Sequence, residues 1–371
     1  MVPRSVVLIV LVCCLPFLVG FGPPKLVESD NDYLPIGSGQ LRAIEAGRPP
    51  ALAGTAALVM DLGANRVVYQ RNGDRQAAPA SLSKIMTAVL AIERGGDLTA
   101  TVGVQADDLI EGSAMGLKVG DQVTLEQLLW GLLLPSGNDA AEAIARYVGG
   151  GSVSRFVGMM NEKAQVLGLA NTHFANPHGL DAAGHYTSAL DIAELSRYAL
   201  RSPVFAKIVA AREHELTVSG RSFTVRNTNT LLFQTAPAVG VTGVKTGFTD
   251  NAGDSLVASF ERDGRKMLVV VLGANNRNEA VLALVAYAFE HFVALPAPLP
   301  LAPVAPRALP GGGSPMLMLP VWQRPLLRFT AEVSTVTGQP SAGPNGLLTY
   351  LVGSQEIGRL ALFVPSSGSP R

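Results

Sequence analysis

The chain has 371 residues, and its 29 Lys and Arg balance 29 Asp and Glu, so the formal net charge is zero and no binding to nucleic acid or another polyanion is implied. A chain of this length is long enough for one large packed domain and a smaller one. The only cysteines, Cys13 and Cys14, lie together near the start, which excludes a disulfide framework in the body of the protein.

Residues 1–22 open with Met-Val-Pro-Arg and continue as an apolar run from Val6 to Phe21, the pattern of a signal peptide. No A-x-A pattern precedes Pro23-Pro24, so an uncleaved N-terminal anchor is the second reading. The run is shorter than the about 20 residues a membrane span prefers. Leu15 to Val19 stay apolar after the cysteines, which argues against a lipoprotein signal. Residues 23–50 are polar and bear Gly and Pro, and read as a leader or linker.

Two strands are predicted at 56–61 and 66–70, across Gly63-Ala64-Asn65. A largely apolar helix is predicted at 81–94, after Pro79 and stopped by Gly95-Gly96. Ser81 and Lys84 stand three apart on it and share a face, within reach of each other. A serine hydroxyl needs an adjacent base, and lysine serves as one when burial and nearby positive charge lower its pKa. Free N–H groups in the first helical turn also suit a developing oxyanion.

The region 125–148 reads as two buried helices joined through Pro135-Ser136-Gly137-Asn138, the second starting at Asp139. Ser136 and Asn138 thus sit on a polar loop held by buried elements, although Ser136, Asn138 and Asp139 also suit helix capping. Further helices are predicted at 153–167 and 188–201. Lys245-Thr246-Gly247 precedes a hairpin of strands at 255–260 and 266–272 across Asp263-Gly264. A lysine and a hydroxyl on an edge strand can bind a carboxylate, and Gly247 lets backbone and substrate approach closely. A helix at 279–292 closes the domain placed at 51–293. Residues 294–315 are rich in Pro and end in Gly311-Gly312-Gly313, a semi-rigid spacer with a hinge. Residues 316–371 alternate apolar and polar residues with turn signals and read as a small β domain.

Alone, each short motif reads equally as a helix start, a cap or a turn. In the order Ser81-Leu82-Ser83-Lys84, Ser136-Gly137-Asn138 and Lys245-Thr246-Gly247 they match the S-x-x-K, S-x-N and K-T-G set of penicillin-recognising enzymes. Over roughly residues 52–293 the chain resembles the serine-type D-alanyl-D-alanine carboxypeptidases, the low-molecular-mass penicillin-binding proteins. Gly112-Ser113-Ala114-Met115, Asn176-Pro177-His178-Gly179-Leu180-Asp181 and Gly243-Val244 leading into the third motif extend the likeness.

The resemblance implies an α+β fold, a penicillin-binding and β-lactamase-like serine acyltransferase domain. Its antiparallel sheet is covered by helices and adjoins an all-helical part, and a small β domain follows. It implies Ser81 as acyl-enzyme nucleophile, Lys84 as general base and Ser136 as proton relay, with Asn138 placing the substrate backbone. Lys245, Thr246 and Gly247 would receive the terminal carboxylate, and the N–H groups of Ser81 and Phe248 would form the oxyanion hole. Many relatives carry histidine in place of Phe248, but the implied role there belongs to the backbone. Arg277 is aligned either with an arginine that assists carboxylate binding or with a plain surface residue.

The implied activity is removal of the terminal D-alanine from peptidoglycan stem peptides, outside the cytoplasm, without metal or other cofactor and with β-lactams as covalent inhibitors. A D,D-transpeptidase or a β-lactamase using the same machinery is the alternative, and a non-catalytic cell-wall-binding protein is a further one. Deacylation in class A β-lactamases uses a dedicated glutamate, and no equivalent segment stands out here. His173, His178 and His185 with Asp181 raise a zinc-peptidase reading, but their spacings match no standard ligand pattern, and they are expected to tie a polar loop together.

The last stretch, from Gly358 to Val364, is strand-like and ends at Pro365 and serines, so it cannot form the amphipathic helix that attaches many relatives to membranes. Any membrane association is therefore expected from residues 5–21. Protein starting near Gly22 should stay in the supernatant when lipid vesicles are pelleted. Vesicle binding that disappears on removing residues 355–371 would instead place the anchor at the C-terminus.

Overall fold

The structure is a computed structural model and describes residues 49–52, 54, 56–234, 239–296, 316–333, 346–352 and 355–362. The signal or anchor segment, the leader up to residue 48 and the spacer from 297 to 315 lie outside the described residues. The chain divides into two units, one of them Pro49–Ala288 and the other including Phe289–Arg371.

The larger unit is α+β. Its sheet has five antiparallel strands in the order β2-β1-β9-β8-β7. They are β1 (Ala56–Asp61), β2 (Arg66–Arg71), β7 (Val241–Gly247), β8 (Asp254–Arg262) and β9 (Arg265–Ala274). All six residues of β1 are buried, as are residues 267–272 of β9, because both faces of the sheet are covered. Ala56, Leu58 and Met60 share one face with Leu268, Val270 and Leu272, in the same core as Met86 and Leu90. Helix α5 (Ala189–Ala199) packs on β1, β8 and β9. Helix α8 (Arg277–His291) buries Ala280, Val281, Leu284, Val285 and Ala288 at helical spacing. Its Tyr287 ring meets Tyr69 of β2 edge-on.

The helical part gathers α1 (Lys84–Arg94), α2 (Leu125–Leu133), α3 (Asn138–Val148) and α4 (Val153–Val166), which pack on one another. Local chemistry fixes their starts. Thr124 and Gln127 form a reciprocal capping box for α2, and Ser152 caps α4. Ser188 caps α5, and Ser202 with Pro203 opens α6 (Pro203–Ala210). The buried Asp108 carboxylate accepts two hydrogen bonds from Arg146 of α3, at 2.9 and 2.7 Å, and so ties a peripheral turn to the bundle.

Three features differ from expectation. The helix expected at 81–94 opens instead as a 3-10 turn, Ala80–Ser83, and α1 begins at Lys84. Ala80 enters this turn with φ of 48°, a left-handed geometry that an L side chain seldom adopts, so Ser81 sits on a bend at the helix entrance. Helix α3 begins at Asn138, one residue before the expected start. Sequence periodicity also passed over α6 and the hairpin of β5 (Glu213–Val218) and β6 (Arg221–Arg226). That hairpin turns through Ser219 and Gly220, both at positive φ, which matches strand twist. The short strands β3 (Thr101–Gly103) and β4 (Gln122–Thr124) form a further pair.

In the second unit, β10 (Phe292–Pro296) pairs with β11 (Met316–Pro320), so residues 294–296 of the expected spacer are strand. Strands β12 (Leu327–Val333), β13 (Gly346–Val352) and β14 (Gln355–Leu362) form a three-stranded antiparallel sheet. Leu317, Leu319, Leu327, Leu348, Tyr350 and Val352 make a small core of their own.

Leu58 is fully buried in the centre of the sheet core. Leu58→Ala should lower the unfolding free energy of the larger unit by about 2–5 kcal/mol, read as a fall in the denaturation midpoint. An unchanged midpoint would contradict the packing described.

Candidate active site

The site assembles around one buried amine. Lys84, the first residue of α1, has a fully buried side chain. Its Nζ lies 2.9 Å from Ser81 Oγ, 2.8 Å from Asn138 Oδ1 and 2.6 Å from the carbonyl oxygen of His178. The amide and carbonyl oxygens only accept hydrogen bonds, whereas the serine hydroxyl both donates and accepts. A neutral amine has two N–H donors and one lone pair. In its neutral form Lys84 would keep its N–H groups on Asn138 and His178 and turn its lone pair toward the Ser81 hydroxyl, and in its charged form it would donate to all three oxygens. Burial holds the Lys84 pKa well below the ordinary lysine range, the charge of Lys245 lowers it further, and Asp139 partly opposes both.

Asn138 opens α3, and its own position is set by backbone groups of the preceding loop. Its Nδ2 donates to the Glu111 carbonyl at 2.5 Å, and its N–H donates to the Ser113 carbonyl at 2.6 Å. Asp139 gathers the N–H groups of Met115, Gly116 and Leu117 at 2.9, 3.0 and 3.1 Å. A residue legible in sequence only as a helix cap is thus the clamp that closes the 113–117 loop over the start of α3.

Ser136 is buried, at φ of 66°, and its Oγ has no hydrogen-bond partner among the described residues. Its segment is linked to the third motif. Thr228 N–H donates to the Leu134 carbonyl at 3.0 Å, and Thr228 Oγ1 meets Thr246 Oγ1 at 2.6 Å.

The third motif ends β7, an edge strand of the sheet, where Lys245, Thr246 and Gly247 face Val257, Leu256 and Ser255 of β8. Gly247 presses against the serine turn. A Cβ there would stand 3.2 Å from Ala80 Cβ and from Leu82 Cγ, and 3.3 Å from the Pro79 carbonyl oxygen. Gly179, at φ of 95°, flanks the same turn, where a Cβ would overlap the Ala80 carbonyl. Lys245 is fully buried, and its Nζ donates to the Thr246 carbonyl at 3.1 Å. Burial first, and then the Arg277 charge, bring its pKa down to about 7. Arg277 is not a plain surface residue, since it reaches the Gly247 carbonyl at 3.4 Å and the Asp254 carboxylate at 3.0 Å. Phe248, just past the strand, exposes 61% of its surface.

The histidines suspected as zinc ligands make hydrogen bonds within the loop. His185 Nδ1 accepts from Ala175 N–H at 2.7 Å, so the ring proton is on Nε2, which donates to Ser83 Oγ at 2.7 Å. Ser83 in turn donates to the Ala80 carbonyl at 3.0 Å and braces the serine turn. Burial, with the nearby His178, pushes the His185 pKa down to about 4. Among the described residues no group of three or more His, Cys, Asp or Glu side chains is placed to hold a metal ion.

Sequence reading missed Asp139 as a clamp, Thr228 as a link, Ser83 and His185 as a brace, and the His178 carbonyl as a partner of Lys84. Main-chain acceptors and contacts between distant loops leave no pattern in residue spacing. The loop Asn176-Pro177-His178-Gly179 was visible through the family resemblance and through the histidines expected to tie a polar loop together, but not as a neighbour of Lys84.

Comparison with known proteins identifies the family and the fold. The family model for D-alanyl-D-alanine carboxypeptidase matches residues 43–276. The carboxypeptidase DacF of Bacillus subtilis is 35% identical over 246 residues, covering 64% of this chain and 62% of that protein. DacC of Escherichia coli is 39% identical over 236 residues, covering 61% of this chain and 58% of its own length. The chain thus spans about three fifths of the length of these relatives. Among solved structures, DacD from Francisella tularensis superposes with a TM-score of 0.71 at 26% identity, over 85% of this chain and 94% of that one. The Streptomyces K15 DD-transpeptidase superposes with a TM-score of 0.61 at 31% identity, over 65% of this chain and 99% of that one. The match of a family model to more than half of the sequence, on a fold shared with these enzymes, means that the chain belongs to the D-alanyl-D-alanine carboxypeptidase family.

Proposed function

We propose that this protein is a serine D,D-carboxypeptidase that releases the terminal D-alanine of peptidoglycan stem peptides through an acyl-enzyme on Ser81. The observation that carries the reading is the 2.9 Å contact between Lys84 Nζ and Ser81 Oγ, made by a buried lysine whose two other partners are acceptors. Ser81 Oγ attacks the carbonyl carbon of the penultimate D-alanine while its proton passes to Lys84. The oxyanion is received by the N–H groups of Ser81 and Phe248. Collapse breaks the peptide C–N bond, and the proton taken up by Lys84 reaches the leaving amine through the hydroxyl of Ser136, which has no partner among the described residues, so that Lys84 and Ser136 both return to their starting forms. Water then hydrolyses the Ser81 ester. Asn138 places the substrate backbone, and Lys245 with Thr246 holds the terminal carboxylate beside Gly247.

This substrate places the protein outside the cytoplasm, in keeping with the signal-like residues 1–22, through which membrane association would also run. A β-lactam presents a strained amide and a carboxylate in the same relation, so it acylates Ser81 and inhibits. No metal or cofactor takes part in the proposed mechanism. An acceptor amine in place of water would make the same acyl-enzyme a transpeptidase.

Purified protein incubated with diacetyl-lysyl-D-alanyl-D-alanine should release free D-alanine, and Ser81→Ala should reduce the rate by at least about a thousandfold. Intact-mass spectrometry with benzylpenicillin should give one adduct per chain, absent in Ser81→Ala. An adduct that persists in the alanine variant would remove Ser81 from the role. Added glycine that diverts the acyl group into a new peptide would show transpeptidation.

Lysine binds a carboxylate in its charged form, which exists below its pKa. Because the Lys245 pKa in the free protein is about 7, kcat/KM for the free-acid peptide should fall as pH rises through about 7. The Lys84 base acts neutral, so its protonation should cut the rate on the acid side. Lys245→Ala should remove the alkaline limb and narrow the preference for the free acid over an amide-capped analogue. An alkaline limb unchanged in that variant would assign it to another group.

A further inference from the structure

We propose that Glu142 is a positioning residue for the Lys84 base, acting through His178; this rests on the acyl-enzyme reading above. Glu142 and His178 are both buried, 7% and 8% exposed, although neither touches the serine. Glu142 stands one helical turn after Asn138 on α3, so the two share a face. His178 Nε2 lies 3.2 Å from Glu142 Oε1. His178 Nδ1 accepts from the Leu180 N–H at 3.1 Å, which leaves the ring proton on Nε2, the nitrogen beside the Glu142 carboxylate. The His178 ring is thus flanked at both nitrogens, and the carbonyl of the same residue accepts from Lys84 Nζ at 2.6 Å.

Helix α3 therefore controls both acceptors of the amine. Asn138 Oδ1 contacts it directly, and Glu142 sets the His178 carbonyl through the imidazole. With both N–H groups directed, the remaining lone pair points to Ser81 Oγ. If the carbonyl drifts, the amine can turn, and a small misplacement of a catalytic base lowers the chemical step without weakening substrate binding. Other bonds hold the same loop to α1 and to itself, since Thr87 Oγ1 donates to the Pro177 carbonyl at 2.6 Å and Asn176 bonds Gly179 and Leu180. The Glu142 contribution is therefore partial.

The test is acylation of the full chain by benzylpenicillin at several concentrations, which separates the β-lactam dissociation constant from the acylation rate constant. Glu142→Ala should lower the rate constant about tenfold, with the dissociation constant within about threefold of native. Glu142→Gln keeps an oxygen that accepts from Nε2 and should restore the rate constant to within about threefold of native. In His178→Asn the side-chain oxygen can still serve Leu180 N–H but cannot reach Glu142, so it should match Glu142→Ala. The double variant should be no slower than either single one. A native rate constant in Glu142→Ala, a Gln variant as slow as the Ala variant, or additive losses would overturn the proposal. If Glu142→Ala does not fold, a native rate constant in His178→Asn would overturn it equally. Failure of the native protein to acquire an adduct on Ser81 would sink the acyl-enzyme reading itself. A normal native adduct with unaffected variants would sink only the role of Glu142.

Discussion

Burial of the Lys84 amine is the constraint around which the larger unit is organised. A lysine with no exposed surface is costly to charge, and here a second buried lysine adds repulsion. The cost is limited because the amine meets two oxygen acceptors and a hydroxyl at hydrogen-bond distance. Each partner comes from a different part of the chain: the serine turn, the start of α3 and the loop at His178. The fold is thus required to bring three segments to one point, and the packing that assembles them also lowers the pKa of the amine.

The sheet edge supplies the opposite kind of site. Lys245 is also buried, yet it lies at the end of an edge strand with Thr246 and beside Arg277, so two basic side chains converge there. Gly247 and Gly179 allow the two walls to approach the serine turn, because a side chain at either would collide with Pro79, Ala80 or Leu82. The serine turn is therefore closely flanked by backbone on both sides. Ser83 and His185 brace the floor of the same turn through a hydrogen-bond chain that ends on the Ala80 carbonyl.

Polar clamps rather than apolar packing align the loops. Asp139 takes three successive N–H groups of the 115–117 segment, and Asn138 bonds the carbonyl of Glu111. A buried carboxylate that accepts from several N–H groups fixes backbone direction more sharply than apolar contact can. The S-x-N segment is thereby held in place, while the Ser136 hydroxyl has no hydrogen-bond partner among the described residues.

Much of this was present in residue order alone. The five apolar residues Ala56 to Met60 of β1 and the hairpin at Asp263-Gly264 carried the sheet, since side-chain pattern and turn chemistry act over a few residues. The i, i+3 spacing of Ser81 and Lys84 brought amine and hydroxyl together because helical geometry is local. The three motifs and the family resemblance named the candidate residues. Tertiary structure decided the rest. Ala80 in the left-handed region bent the expected helix start into a 3-10 turn, through contacts with Gly179 and Gly247 far along the chain. The His178 carbonyl on Lys84, the reach of Arg277 to Gly247 and the Thr228 bridge depend on segments that meet only after the sheet and helices pack. Such contacts join backbone groups, or side chains with no fixed separation in sequence, and so residue spacing holds no record of them.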